Sequence, residues 1–136
     1  MEIAARFEHK FLIDDARRAE LLARFADQLR PDTAGSADGR YPVVSLYCDT
    51  PDRRCHWEAW RGVPSRRKLR VRIYGTRDGI IPAATFVEVK HRDGRAGAKR
   101  RVRLPLADAH ALVGGADVTS PDPADERILA EIRRMV

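Results

Sequence analysis

The stretch "SRRKLRVRIYG", Ser65 to Gly75, decides how the rest of the chain is read. Its alternation fits a β-strand: Leu69, Val71 and Ile73 fall on one face, and Lys68, Arg70 and Arg72 on the other. The apolar face is explained by a core. Three cations in a row, roughly 6–7 Å apart, are not.

Working outward, the same alternation recurs. "AARFEHKFLI" gives a strand over about 4–13, with Arg6, Glu8 and Lys10 on its polar face. "YPVVSLYCDT" is rich in β-formers and gives a strand over about 42–49, with Pro42 at its start or on a sheet edge. The opening stretch itself spans about 67–74. "ATFVEVKHR" follows at 84–92, "DGRAG" is a hairpin signal, and "AKRRVRL" returns antiparallel over about 98–104. Helices are expected over about 15–29, capped by Asp14 or Asp15, and over 51–61, opened by Thr50-Pro51. Two more are expected over 107–113 and 124–136. "PDTAGSADGR" reads as a loop.

The 136 residues, 43% hydrophobic and without low-complexity runs, suit one folded domain. Apolar runs are too short for a membrane span and the N-terminus lacks a signal-peptide core, so cytoplasmic residence is expected. Cys48 and Cys55 lack metal-site spacing and are expected as packed, reduced thiols. The net charge of +6 favours an anionic partner.

Lined up by their polar faces, four strands contribute Arg6, Glu8, Lys10; Lys68, Arg70, Arg72; Glu88, Lys90, Arg92; and Lys99, Arg101, Arg103. Ten of these twelve are cations. An ordinary solvated face mixes signs, because like charges about 5 Å apart across a sheet repel. A face this uniform is costly when empty and favourable when a phosphate-rich ligand fills it. With helices over the apolar side, the basic side becomes the inner surface of a curled sheet. Arginine then offers forked donors to phosphate and lysine a mobile point charge. Glu8 and Glu88 either hold a divalent cation or neutralise neighbouring lysines.

The pieces "RFEHKFLI", "YPVVSLYCDT", "RRKLRVRIYG", "TFVEVKHR" and "AKRRVRLP", in this order, resemble the VTC domain. That domain is the polyphosphate polymerase branch of the triphosphate tunnel, or CYTH-like, superfamily. The resemblance implies an α+β fold in which an antiparallel β-sheet curls into part of a β-tunnel with helices packed outside. It implies ATP and inorganic polyphosphate as partners, a divalent metal (Mn²⁺ or Mg²⁺) as cofactor, and transfer of the ATP γ-phosphoryl group to the polyphosphate chain. By position Lys10 matches a phosphate-contacting lysine, Arg70 and Arg72 the paired tunnel arginines, and Glu88 and Lys90 the "ExK" strand. Lys99 matches the basic position that opens the next strand. Arg6 stands where the wider superfamily has a first glutamate, leaving Glu8 alone as the acid there.

The expected catalytic residues are therefore Lys10, Arg70, Arg72 and Lys90. Phosphate binding is expected from Arg6, Lys10, Lys68, Arg70, Arg72, Lys90, Lys99 and Arg101, and metal binding from Glu8 and Glu88. The family's domain continues beyond its match here. Residues 1–136 are accordingly expected to be the N-terminal part of a single tunnel domain, with the C-terminal part absent and catalysis in question. The alternatives are a non-catalytic module for polyphosphate or inositol phosphates, and a triphosphate hydrolase of the same superfamily. Nucleic acid is not expected, because of the aromatics only Phe86 flanks the lining. Ser45, Tyr47 and Asp49 either project inward or serve as core and caps. Trp57 and Trp60 are expected to pack a helix on the sheet, and Arg100 to lie on the outer surface or to snorkel.

Overall fold

The computed structural model describes the backbone of residues 2–6, 9–33, 35, 39–76 and 79–136, and their side chains except at 2–6, 76 and 79–83. Among these residues the chain forms five strands and four helices. The opening stretch is β3 (Ser65–Thr76), flanked by β1 (Glu2–Arg6), β2 (Val43–Cys48), β4 (Gly79–Asp93) and β5 (Ala96–Arg103). They join in one antiparallel sheet of order β1-β5-β4-β3-β2, so β1 and β2 are the edges. This is the expected α+β architecture, with an open antiparallel sheet.

The β4–β5 hairpin is where the sequence signal placed it. Asp93 pairs with Ala96 around a two-residue turn. Gly94 takes φ 55° there while Arg95 does not take a positive φ, the pattern of a turn with glycine at its first central position. β3 and β4 are both longer than their apolar alternation suggests. They continue past two register shifts at Tyr74–Thr76, where Gly75 meets Pro82.

Alternation along β3, β4 and β5 sends Leu69, Val71, Val87, Val89 and Val102 to one side, where all are buried. α3 (Leu106–Val113) packs on β4, and α4 (Pro123–Arg133) packs on β5 and on α3. They bring Ala109, Leu112, Ile128, Leu129 and Ile132 into that core. Each such large side chain contributes roughly 1.5–3 kcal/mol. Pro123 at the first helical position and Asp122, whose carboxylate accepts from Ala124 N–H at 2.7 Å, start α4.

α2 (Arg54–Trp60) packs on β3 but begins later than the Thr50-Pro51 signal implies. Its start is fixed by Asp49, whose carboxylate accepts from the N–H groups of Cys55 (2.8 Å) and His56 (2.9 Å), and by Thr50, whose hydroxyl accepts from Arg54 N–H (3.1 Å). The intervening turn leaves Arg53 with φ 56°. Trp57 and Trp60 do not pack α2 on the sheet; both are exposed, Trp60 at 78%. α1 (Asp15–Arg24) is capped by Asp14 and buries none of its residues.

The first strand is shorter than expected. β1 runs antiparallel to β5 and meets Gly97 at Arg6, one residue from the end of β5. Beyond Arg6 only Ala96 of β5 remains to pair with, and residues 9–13 are exposed and outside any strand. Phe11, Leu12 and Ile13 are exposed, as are Val43, Val44 and Leu46 of edge strand β2. Among the described residues no helix is long and apolar enough to cross a membrane.

Candidate anion-binding face

The side of the sheet opposite the core is organised in cross-strand rows, two residues or roughly 6–7 Å apart. Arg66 and Arg92 form the first row; β1 places Arg6 beside Gly97 at its end. Lys68, Lys90 and Lys99 form the second across β3, β4 and β5. Tyr47, Arg70, Glu88 and Arg101 form the third, and Ser45, Arg72, Phe86 and Arg103 the fourth. All nine β3–β5 residues expected on the basic lining therefore share one face. Glu8 lies outside the described residues. Lys10 stands exposed in the segment between β1 and α1, outside any strand.

Arg70 and Glu88 of the third row form a dry centre. Glu88 has 0% of its surface exposed and Arg70 only 8%, although α3 and α4 lie on the far side of the sheet. Arg70 Nε donates to Glu88 Oε2 at 2.6 Å, and Arg70 Nη1 donates to the Tyr47 hydroxyl at 3.1 Å. Burial works against the guanidinium charge, but Glu88 and Tyr47 outweigh it and the Arg70 pKa is raised. The hydrogen bond from Arg70 lowers the Tyr47 phenol below its ordinary value, against the effect of burial. Glu88 Oε1 lies 3.6 Å from Lys99 Nζ and has no hydrogen-bond partner among the described residues.

Aromatic rings are more intimately involved than the sequence suggested. Arg101 lies 4.3 Å from the Phe86 ring centre, Arg70 5.8 Å from that of Tyr47, and Arg72 5.8 Å from that of Tyr74. Lys68 Nζ is 6.0 Å from the Tyr47 ring. These cation–π contacts spread the cations over π-faces and lower the cost of crowding them. Tyr74 and Phe86 pack edge to face at 5.8 Å. Ser45 accepts from Arg72 Nε at 3.2 Å, so Ser45 and Tyr47 project onto this face, whereas Asp49 is spent on capping α2. The period-2 pattern of β2 contained this signal once β2 is registered on β3.

Among the described residues no group of three or more His, Cys, Asp or Glu side chains could hold a metal ion. Glu88 Oε1 is the one buried carboxylate oxygen on this face without a hydrogen bond among the described residues. That oxygen is closed off from solvent and faces Lys99 Nζ, so as placed it leaves no room for a metal ion with phosphate and water ligands. Cys48 and Cys55 are free thiols, half-buried, and burial pushes both pKa values up.

On the core side, sequence reasoning missed a second charged cluster. Glu131 of α4 is buried, with His91 Nε2 at 2.8 Å and Arg100 Nη1 at 3.1 Å from its carboxylate oxygens and Arg67 Nη1 at 3.7 Å. Arg100 is off the basic face, as its break in alternation implied, but lies part-buried on the core side with its guanidinium at Glu131 instead of at an open outer surface.

The VTC domain family model matches residues 5–136. No curated protein and no solved structure matches the chain.

Proposed function

The chain belongs to the VTC domain family, and from that membership we propose that its basic face binds the phosphate chains of ATP and inorganic polyphosphate and transfers the γ-phosphoryl group between them. The family-level function is related to polyphosphate polymerase. The observation that supports the finer reading is the row Lys68–Lys90–Lys99 beside a dry Arg70–Glu88 centre. Like charges in register across three strands favour a polyanion along them, even with Lys99 balanced in part by Glu88 and Lys68 set over the Tyr47 ring.

In this reading a terminal oxygen of the polyphosphate chain attacks the γ-phosphorus, and the bond to the β–γ bridging oxygen breaks. ADP leaves, and the chain is one phosphate longer. Such transfer is governed by positioning and charge stabilisation. Lys68, Lys90, Lys99 and Arg72 gather the phosphate oxygens. Arg70 is held in place by Glu88 and Tyr47, and Arg101 by the Phe86 ring. A divalent ion, Mg²⁺ or Mn²⁺, would supply charge neutralisation to the phosphates, and Glu88 would hold it only by turning Oε1 away from Lys99. ATP as donor suits a cytoplasmic setting.

The Arg70–Glu88 ion pair supports a second reading. A carboxylate already neutralised by a guanidinium does not need a metal, and a face built this way can hold polyphosphate without turning it over. One experiment separates the readings. The chain is incubated with ATP, a polyphosphate primer and Mn²⁺, and both products and binding are measured. Longer polyphosphate with ADP supports transfer, phosphate release supports hydrolysis, and binding alone supports the module. The variant Lys68→Ala/Lys90→Ala, which leaves the buried pair intact, should weaken tripolyphosphate binding at least about tenfold. Unchanged affinity, or displacement of polyphosphate by short single-stranded DNA as effectively as by tripolyphosphate, would remove the basic face from this role. The interleaved Tyr47, Tyr74 and Phe86 make the DNA arm a real test.

A further inference from the structure

We propose that the outer side of the sheet carries a second anion site, a cavity between α2, α4 and the start of β3 that takes a small, multiply charged phosphate anion. The cavity measures about 610 Å³ and is lined by Arg54, Arg66, Arg67, Arg100 and Arg134. Two carboxylates, Glu58 and Glu131, also line it, so five guanidinium groups against two acids leave a surplus of three positive charges.

The site is separate from the basic face. Arg67, His91 and Arg100 alternate to the core side of their strands, whereas Lys68, Lys90 and Lys99 point the other way. Only Arg66 belongs by register to the basic face, and its Nη1 turns to donate to Val63 O at 2.6 Å.

The two carboxylates repel an incoming anion less than free acids would, because both are ion-paired to cations of the site. Glu58 accepts from Arg54 Nε at 2.9 Å. Glu131 is buried between Arg100, His91 and Arg67 and serves to aim them. His91 Nε2 also lies 3.1 Å from Arg100 Nη2. With a proton it donates to Glu131; without one it accepts from Arg100. Arg100 is 37% exposed through its guanidinium end, which stands at Glu131, while its Nε is closed off from the cavity. Arg134 is exposed at the rim and has no carboxylate partner among the described residues. Arginine forks in this number match phosphate oxygens better than a carboxylate or a halide. The size admits an oligophosphate or a phosphorylated small molecule and excludes a folded partner.

The test is calorimetric titration of the chain with inorganic tripolyphosphate. The parent should show two classes of site. Lys68→Ala/Lys90→Ala should lose the inner class and keep the outer one. Adding Arg54→Ala/Arg134→Ala to that background should weaken what remains at least about tenfold. Both outer arginines are exposed, so melting curves of the variants should overlay. A parent with one class of site, loss of all binding in Lys68→Ala/Lys90→Ala, or an outer site indifferent to Arg54→Ala/Arg134→Ala overturns the proposal. None of these outcomes removes the inner site, whose own variant is Lys68→Ala/Lys90→Ala in an otherwise unchanged chain.

Discussion

Replacing Arg70 by methionine should damage the fold more than any other single change on the basic face, for a reason the geometry sets. Glu88 is fully buried, and its Oε2 is neutralised by Arg70 Nε at 2.6 Å. Methionine fills the space but leaves a carboxylate with only Lys99 Nζ, 3.6 Å from the other oxygen. Breaking a buried pair from one side costs about 3–5 kcal/mol. The lysine is close enough to recover part of that, so the expectation lies near 3 kcal/mol. For a domain of this size that is a melting-temperature loss of roughly 10–15 °C. The double change Arg70→Met/Glu88→Leu removes both charges together and should return stability to within about 1 kcal/mol of the parent. Tripolyphosphate affinity, in contrast, should not return. Urea unfolding of the three proteins, compared at equal slope, measures the first effect, and calorimetry the second. An Arg70→Met protein within about 1 kcal/mol of the parent would show that Glu88 is hydrated and that the dry centre does not exist.

Asp49→Ala should cost about 1–2 kcal/mol, because its carboxylate accepts from Thr50, Cys55 and His56 N–H groups at the start of α2. Although burial opposes it, those N–H groups hold the Asp49 pKa below the ordinary carboxylate value. Its contribution is thus present above the unfolded value near 3.9 and lost as pH falls through the folded one. The stability gap between parent and Asp49→Ala should close on acidification below about pH 4, and a gap independent of pH would refute the capping role. For Glu88→Gln, Mn²⁺ should strengthen ATP binding in the parent several-fold more than in the variant; an equal response would take Glu88 out of metal binding.

The opening stretch and its two successors were legible because a half-buried strand repeats every two residues, and five valines and leucines on one face require the cations to share the other. The hairpin was legible because Gly94 supplies the one positive φ its turn demands. What the sequence hides is where a strand loses its partner. Nothing in "EHKFLI" says that β5 runs out at Ala96, so alternation carried the first strand on to Lys10, which the ladder does not reach. The late start of α2 was hidden for a similar reason. Asp49 caps from six and seven residues back, across a turn, instead of from the adjacent position. Glu131 was read as one more polar residue of an amphipathic helix, and only α4 packing on β5 brings it to Arg67, His91 and Arg100.

The two faces of the sheet divide the work of folding and binding unequally, and Glu88 is where they meet. Val87 and Val89, its neighbours in sequence, are fully buried on the opposite side against α3 and α4. That side supplies the apolar burial that holds β4 in place. β4 in turn fixes Glu88 Oε2 at Arg70 while Oε1 is left without a hydrogen bond among the described residues. A buried ion pair is seldom the best way to add stability, since apolar residues of similar volume serve as well or better. Its value here is directional. The pair locks one guanidinium between Glu88 and Tyr47, in the row next to Lys68, Lys90 and Lys99, so that under the proposed function the phosphate chain meets a guanidinium already fixed in place. Binding then requires less ordering at the moment of contact. The stability invested in the dry centre is recovered as preorganisation of the face.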